Sequence, residues 1–215
     1  MLEPMAQFFE NRIEGYEEHM LSCIDSASLF YPFTAELLPK FSGAKVLDLG
    51  CGTGLELEYY LSVNPKAFIL GIDLSSKMLD KLRSKFPNKE IELICGSYFD
   101  IPLGENVFDC AVSVESLHHF TKEEKVPFYQ KVFCSLKEDG YFVLTDYFAV
   151  SDLEESALRN EYLRLISEEG KGEGMYHFDT PLTVEHEIEA LKKAGFTSVQ
   201  EINCWGATHT IVARK

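Results

Sequence analysis

Positive charge is scarce in this chain. Its 215 residues carry 20 Lys and Arg against 35 Asp and Glu, a formal charge of −15, which repels phosphate backbones and disfavours an RNA or DNA substrate. The few neighbouring cations, Lys81 to Lys85 and Lys192-Lys193, are interleaved with apolar or acidic residues, as on ordinary helix faces. Long apolar runs are missing as well. No segment approaches the roughly 18 residues that a membrane span needs, and Met1 to Glu10 carries Glu3 and Glu10 in place of the basic and apolar regions of a secretory leader. The six cysteines form no C-x-x-C pair and have no His at metal spacing, so free thiols in a reducing compartment are expected. A cytoplasmic protein with no membrane and no nucleic-acid partner follows from these absences. No low-complexity linker divides the chain, and 46% hydrophobic content suffices to bury a full core, so residues 1–215 are expected to form one domain.

What the chain does have is organised around Lys45 to Gly54. The apolar run Val46-Leu47-Asp48-Leu49 meets Gly50, Gly52 and Gly54 and is followed by the helix-like Leu55 to Leu61. That pattern predicts a buried parallel strand turning through a glycine-rich loop into a helix. Glycine lets bare backbone approach a ligand and adopt positive φ, and the amides at the helix start favour an anionic or strongly polar group. The dinucleotide fingerprint G-x-G-x-x-G does not fit, because position 55 is Leu rather than Gly.

The spacing here is G-x-G-x-G with Asp48 two residues ahead of it, and the run resembles the V-L-D-x-G-x-G-x-G signature of class I S-adenosylmethionine-dependent methyltransferases. The resemblance covers residues 41–150 and 183–215; residues 1–40 and 151–182 match only in position. It implies a Rossmann-like α/β fold: a seven-stranded, mostly parallel sheet of order 3-2-1-4-5-7-6 with its last strand antiparallel, helices on both faces and a helical cap. Residues 1–40 would form an N-terminal helical cover and 151–182 a cap or lid. The residues that the resemblance assigns to the cofactor, S-adenosylmethionine, are Asp48, Gly50, Cys51, Gly52 and Gly54, Asp73 and Leu74 at the end of the second strand, Met78 on the next helix, Ser97 and Tyr98 after the third strand, Glu115 after the fourth, and Tyr16 from the cover.

The residues support parts of this independently. Asp73 lies 23 positions beyond Gly50, close to the offset of roughly 20 at which an acid meets a ribose in doubly wound folds, and a carboxylate can accept from both ribose hydroxyls. Related methyltransferases carry an acid where this chain has Ser97, which leaves adenine to Ser97, the Tyr98 backbone or Asp100. Apolar spacings of three and four predict one helix over the first 25 residues, with weakness at Gly15, and a second through Leu29 to Leu38. Thr121-x-x-Glu124 and Ser151-x-x-Glu154 read as capping boxes, and Asp139-Gly140 as a turn into the strand Tyr141 to Tyr147. The helix from Ser151 carries an apolar stripe from Leu153 to Ile166 and stops at Gly170 to Gly174, a hinge by composition.

Methyl transfer from a sulfonium needs alignment and exclusion of water, and a base only where the acceptor is protonated. The candidates for catalysis are His118, His119, Tyr147 and His177, with Asp179 beside the last. Of the adjacent histidines one is expected to pack inward and one to face the cleft, because sequence neighbours rarely chelate one ion without further ligands; no metal is expected. The function expected is methyl transfer from S-adenosylmethionine to a small-molecule acceptor by a monomer or homodimer. The alternatives are a non-catalytic S-adenosylmethionine-binding or regulatory protein, or a protein methyltransferase.

Overall fold

A computed structural model describes residues 1–172 and 174–215. Its strands are β1 (Lys45–Leu49), β2 (Phe68–Asp73), β3 (Ile91–Cys95), β4 (Phe108–Val114), β5 (Leu136–Tyr147), β6 (Ser198–Trp205) and β7 (Thr208–Arg214). They form one sheet in the order β3-β2-β1-β4-β5-β7-β6. The first five strands run parallel, and β7 pairs antiparallel with both β5 and β6. Parallel strands are buried on both faces and so read as apolar runs rather than alternating patterns. In β4 and β1 this is visible directly: Cys110 to Val114 and Val46 to Leu49 are all buried.

Helices cover both faces. On one, α3 (Ala27–Leu37), α4 (Leu55–Val63) and α5 (Ser76–Lys85) bury Phe30, Tyr31, Leu57, Tyr60, Leu79 and Leu82 against Val46, Ile69, Val112 and Val143. On the other, α6 (Lys122–Ser135) and α8 (Val184–Lys193) bury Phe128, Tyr129, Val132, Ala190 and Leu191 against Leu47, Ala111, Phe142 and Ile211. Caps fix where these helices begin. Ser75 accepts the Met78 N–H, Thr183 accepts the His186 N–H, and Thr121 and Glu124 complete a reciprocal capping box. No helix among the described residues is long and apolar enough to cross a membrane.

Four local expectations change. The N-terminal helix is two helices, α1 (Met5–Asn11) and α2 (Tyr16–Cys23), because Gly15 takes φ +81° at the start of α2 and breaks the backbone. Asp139-Gly140 is no turn: β5 runs through it from Leu136, and a register shift opposite Phe108 and Cys110 absorbs the extra residues as a bulge. The apolar stripe of α7 (Asp152–Glu168) does not reach the core: Leu153 is 80% exposed, and Leu158, Tyr162, Leu165 and Ile166 are only half-buried. At its start Ser151 accepts the Glu154 N–H, but the Glu154 carboxylate takes the N–H of Val150, so only half a capping box forms. Gly170, at φ +60°, closes the C-terminal end of α7, and of the expected hinge Glu173 lies outside the described residues.

Beyond it the chain is tied to the N-terminus. Met5 donates its N–H to the Met175 carbonyl at 3.0 Å, His177 donates to Glu3 at 2.9 Å, and Leu2 donates to the Glu169 carboxylate at 3.0 Å. Residues 175–177 and the first helix therefore act as one cover. Beneath it lie the carboxyl ends of β1, β2, β4 and β5, where open parallel sheets bind ligands.

Candidate active site

The glycine loop leaves β1 with Gly50 at φ +77°, and its N–H and that of Cys51 both reach the Ile72 carbonyl, at 2.8 and 3.2 Å. A Cβ at Gly50 would lie 2.1 Å from the Ser116 hydroxyl oxygen, so only glycine fits this close approach of two loops. Gly52, at φ +48°, donates its N–H to Asp73 Oδ2 at 2.9 Å, while Asp73 Oδ1 accepts from Ser75 N–H at 2.8 Å. Those two donors aim the carboxylate along the loop and leave it lone pairs for further donors. Burial outweighs the two N–H donors and holds the Asp73 pKa above its ordinary value.

Around this loop runs a narrow cleft of about 50 Å³. Gly50, Gly52, Asp73, Leu74, Met78, Tyr98, Val114, Glu115 and Ser116 line it from the sheet side, Met5, Phe9 and Tyr16 close it from the cover, and His119 stands at one end. Tyr98 is pinned by its hydroxyl to Ser116, 3.1 Å from Oγ. Glu115 sits in the left-handed region at φ +49°, a strained position for a residue with a Cβ, and its carboxylate accepts from the Thr208 hydroxyl at 3.2 Å. Burial and the charge of Asp146 raise the Glu115 pKa.

Eight of the residues assigned to the cofactor from sequence thus share one cleft: Tyr16, Gly50, Gly52, Asp73, Leu74, Met78, Tyr98 and Glu115. Asp48, Cys51, Gly54 and Ser97 do not line it. The Cys51 sulfur packs towards Gly71, Gly54 abuts Leu57 and Leu82 at the start of α4, and Ser97 Oγ accepts the Phe99 N–H at 3.2 Å. Met5, Phe9, Val114 and Ser116 escaped the sequence reading. Ser116 follows Glu115 directly and could have been found from its place at a strand end; Met5 and Phe9 arrive only through the packing of α1.

Asp48 lies under the loop, buried beside Glu56, the second residue of α4. Asp48 Oδ2 and Glu56 Oε1 have no hydrogen-bond partner among the described residues. Burial and the neighbouring Glu56 push the Asp48 pKa well above the carboxylate range, and burial raises Glu56 too. One proton held between them gives each oxygen the partner it lacks. In the unfolded chain both titrate near pH 4, so below that pH the pair costs nothing, and stability is lost as pH rises from there through the raised folded values. Glu56→Gln removes one of the two charges and should raise stability by about 1–2 kcal/mol at pH 8, with little gain at pH 4. Thermal melts at the two pH values check this, and an equal shift at both would refute the shared proton.

A second, larger cavity of about 870 Å³ opens beside the cleft and shares Phe9, Tyr16, Glu115 and His119 with it. All four expected catalytic residues, His118, His119, Tyr147 and His177, line it, as do Asp179, Trp205 and Met20. His118 Nδ1 is 2.5 Å from Asp146 Oδ1, and Asp146 is itself held by the N–H groups of Leu117 at 2.8 Å and Tyr147 at 2.9 Å. Burial alone would lower His118, but the Asp146 carboxylate wins and raises its pKa to about 9. His119 is lowered by burial and by the charge of His118. His177 stacks on Phe8 with ring centroids 3.4 Å apart, and burial with His119 nearby brings its pKa down to about 4. Asp179 Oδ1 lies 3.2 Å from His119 Nδ1 and 3.6 Å from His118 Nε2, and these histidines outweigh burial to hold its pKa low. The two adjacent histidines do not divide between core and cleft as expected. Both are 8% exposed, and both turn towards the larger cavity.

Residues 46–140 match the methyltransferase-domain family. The chain is 27% identical over 183 residues to 24-methylenesterol C-methyltransferase 2 of Arabidopsis thaliana, covering 82% of this chain and 48% of that protein. To the carboxy-S-adenosyl-L-methionine synthase of Helicobacter hepaticus it is 26% identical over 223 residues, 96% of this chain and 88% of that one. The S-adenosylmethionine-dependent methyltransferase of Mesorhizobium loti superposes with a TM-score of 0.63 at 22% identity, over 86% of this chain and 96% of the other. The chain thus spans about half the length of the sterol methyltransferase that it matches. Residues 46–140 thus match a methyltransferase domain, in a fold shared with that S-adenosylmethionine-dependent methyltransferase.

Proposed function

We propose that the chain transfers the methyl group of S-adenosylmethionine to a small-molecule acceptor held in the larger cavity. The observation that carries this reading is the junction: the cleft at the glycine loop and the 870 Å³ cavity meet at Phe9, Tyr16, Glu115 and His119. A volume of that size suits a small molecule, since ligand pockets span about 300–1,000 Å³. The cofactor supplies an electrophilic methyl carbon on a sulfonium. Asp73, with two lone-pair directions left, would take the ribose hydroxyls, Gly50 and Gly52 give the backbone room to approach, and Leu74, Met78 and Tyr98 present apolar surface for the base. The Glu115 side chain, which lines both the cleft and the larger cavity, suits the positive end of the same molecule. The cleft by itself is smaller than the cofactor, and Met5, Phe9 and Tyr16 stand over it, so a shift of α1 and α2 would admit the cofactor and expel water on closing, as lids do.

Fixing both reactants at the junction supplies part of the roughly 7–11 kcal/mol that proximity and orientation can contribute. Residues 1–40 and 151–182 act within one domain as its cover, and the charge of −15 disfavours a nucleic-acid acceptor. Labelled S-adenosylmethionine incubated with the protein and a pool of small metabolites is expected to label a product of low mass. Cofactor binding without any transfer would favour the non-catalytic alternative, and label on a protein would favour a protein methyltransferase.

A further inference from the structure

We propose that His118, His119 and Asp179 form a divalent-cation site at the wall of the larger cavity, and that the cation takes an oxygen atom of the acceptor. Two sequence-adjacent histidines lack a third ligand on their own, and the fold provides it from 60 residues away. Thr180 donates its N–H to the His118 carbonyl at 2.8 Å, which clamps the segment carrying Asp179 against the turn carrying both histidines. The three ligand atoms lie within 4.8 Å of one another. Asp179 Oδ1 is 3.2 Å from His119 Nδ1 and 3.6 Å from His118 Nε2. Ligands about 2.1 Å from a tetrahedral zinc stand about 3.4 Å apart, so a cation fits between these atoms with little movement.

Two further observations point to a ligand here. Asp179 Oδ1 is a buried atom with no hydrogen-bond partner among the described residues. Behind His118, the 2.5 Å contact of its Nδ1 with Asp146 is the carboxylate–histidine pairing that orients metal-bound imidazoles and leaves Nε2 facing the ion. The Phe178 carbonyl accepts the His119 Nδ1–H at 3.3 Å, and a cation at that nitrogen replaces this proton. Two imidazoles and a carboxylate suit zinc, cobalt, iron or manganese better than magnesium or calcium, which prefer all-oxygen shells. Asp146 and Asp179 together balance a charge of +2.

Because His118, His119 and Asp179 all line the larger cavity, the open coordination position faces the acceptor. An acceptor hydroxyl bound there loses its proton to water more readily; its oxygen lone pair then forms the bond to the methyl carbon as the carbon–sulfur bond breaks and its electron pair returns to sulfur. This narrows the acceptor to one with a hydroxyl or carboxylate oxygen. That half rests on the methyl-transfer reading, whereas the cation site does not.

A second cluster, Glu201, Cys204 and His209 on the β6–β7 hairpin, has metal-ligating spacing too, but Glu201 and His209 are already bonded to each other at 2.8 Å. It serves as the control. Full-length protein stripped with a chelator is titrated with Co²⁺, followed by calorimetry and visible absorption. One equivalent should bind to the native chain and to Cys204→Ser, and be lost in His119→Gln and in Asp179→Asn with melting temperatures unchanged. No binding by the native chain, retention in Asp179→Asn, or loss in Cys204→Ser would overturn the site. For the acceptor, stripped protein should still bind S-adenosylmethionine yet transfer no methyl until Zn²⁺ or Co²⁺ is restored. Full turnover without metal overturns the catalytic half alone, and failure of the stripped and the metal-loaded protein alike to bind S-adenosylmethionine overturns the methyl-transfer reading instead.

Discussion

Lys125→Met is expected to destabilise the protein by about 3–5 kcal/mol, the cost of leaving one half of a buried ion pair without the other. Lys125 is 1% exposed and sits 2.5 Å from Glu187, itself 1% exposed, across the α6–α8 contact; Tyr129 donates its hydroxyl to the same carboxylate. Removing the ammonium leaves the buried Glu187 carboxylate with one neutral donor, the Tyr129 hydroxyl. For a chain of this length each kcal/mol moves the melting temperature by roughly 2–4 °C, so the drop should be on the order of 10 °C. Replacing the whole group, as in Lys125→Met with Glu187→Leu and Tyr129→Phe, should recover most of the loss, because the unpaired charge rather than the missing attraction carries the cost. Thermal melts of the single and triple variants decide this. A single-variant loss below about 1 kcal/mol would mean that water or a side-chain shift reaches Glu187. The pair also bears on the site: burial would raise the Asp146 pKa, and His118 and then the Lys125 charge hold it down instead.

That pair shows where sequence reading stops. Lys125 and Glu187 are 62 residues apart, and nothing in Thr121 to Lys125 or Val184 to Lys193 distinguishes them from ordinary surface charges; only the crossing of two helices makes them partners. The sheet was legible for the opposite reason. Its parallel strands are buried on both faces and must therefore be continuously apolar, which made β1, β2 and β4 readable as runs and placed Gly50, Asp73 and Glu115 at their ends. Local caps are readable too, as at Thr121. Where the outcome depends on tertiary packing the pattern misleads: the stripe on α7 reads as a core face yet none of it is fully buried, and Gly15 splits what periodicity joins. The catalytic side shows the same division. His118, His119 and His177 stand out by residue type, but Asp179 meets both adjacent histidines only through tertiary contacts such as the Thr180 N–H on the His118 carbonyl.

Asp73→Ala is expected to lower S-adenosylmethionine affinity by about 1.5–3 kcal/mol, roughly 10- to 150-fold, the scale of hydrogen bonds to a charged group. The carboxylate has two jobs in the site. It anchors the loop through the Gly52 N–H at 2.9 Å and the start of α5 through the Ser75 N–H at 2.8 Å, and it offers its remaining lone pairs to the ribose. Alanine ends both; the orphaned Gly52 amide lies at the edge of the cleft where water can reach it, but Ser75 is buried, so the fold should survive with a loss of about 1–3 kcal/mol. Asp73→Asn separates the roles: its single oxygen can keep one backbone donor, its NH₂ group faces the other, and it cannot accept from two ribose hydroxyls at once. Calorimetric titration should therefore rank affinity as native, then Asn, then Ala, while the melting temperature of the Asn variant stays within a few degrees of native. Unchanged affinity in Asp73→Ala would remove this carboxylate from the cofactor and leave it a purely structural clasp between the loop and α5.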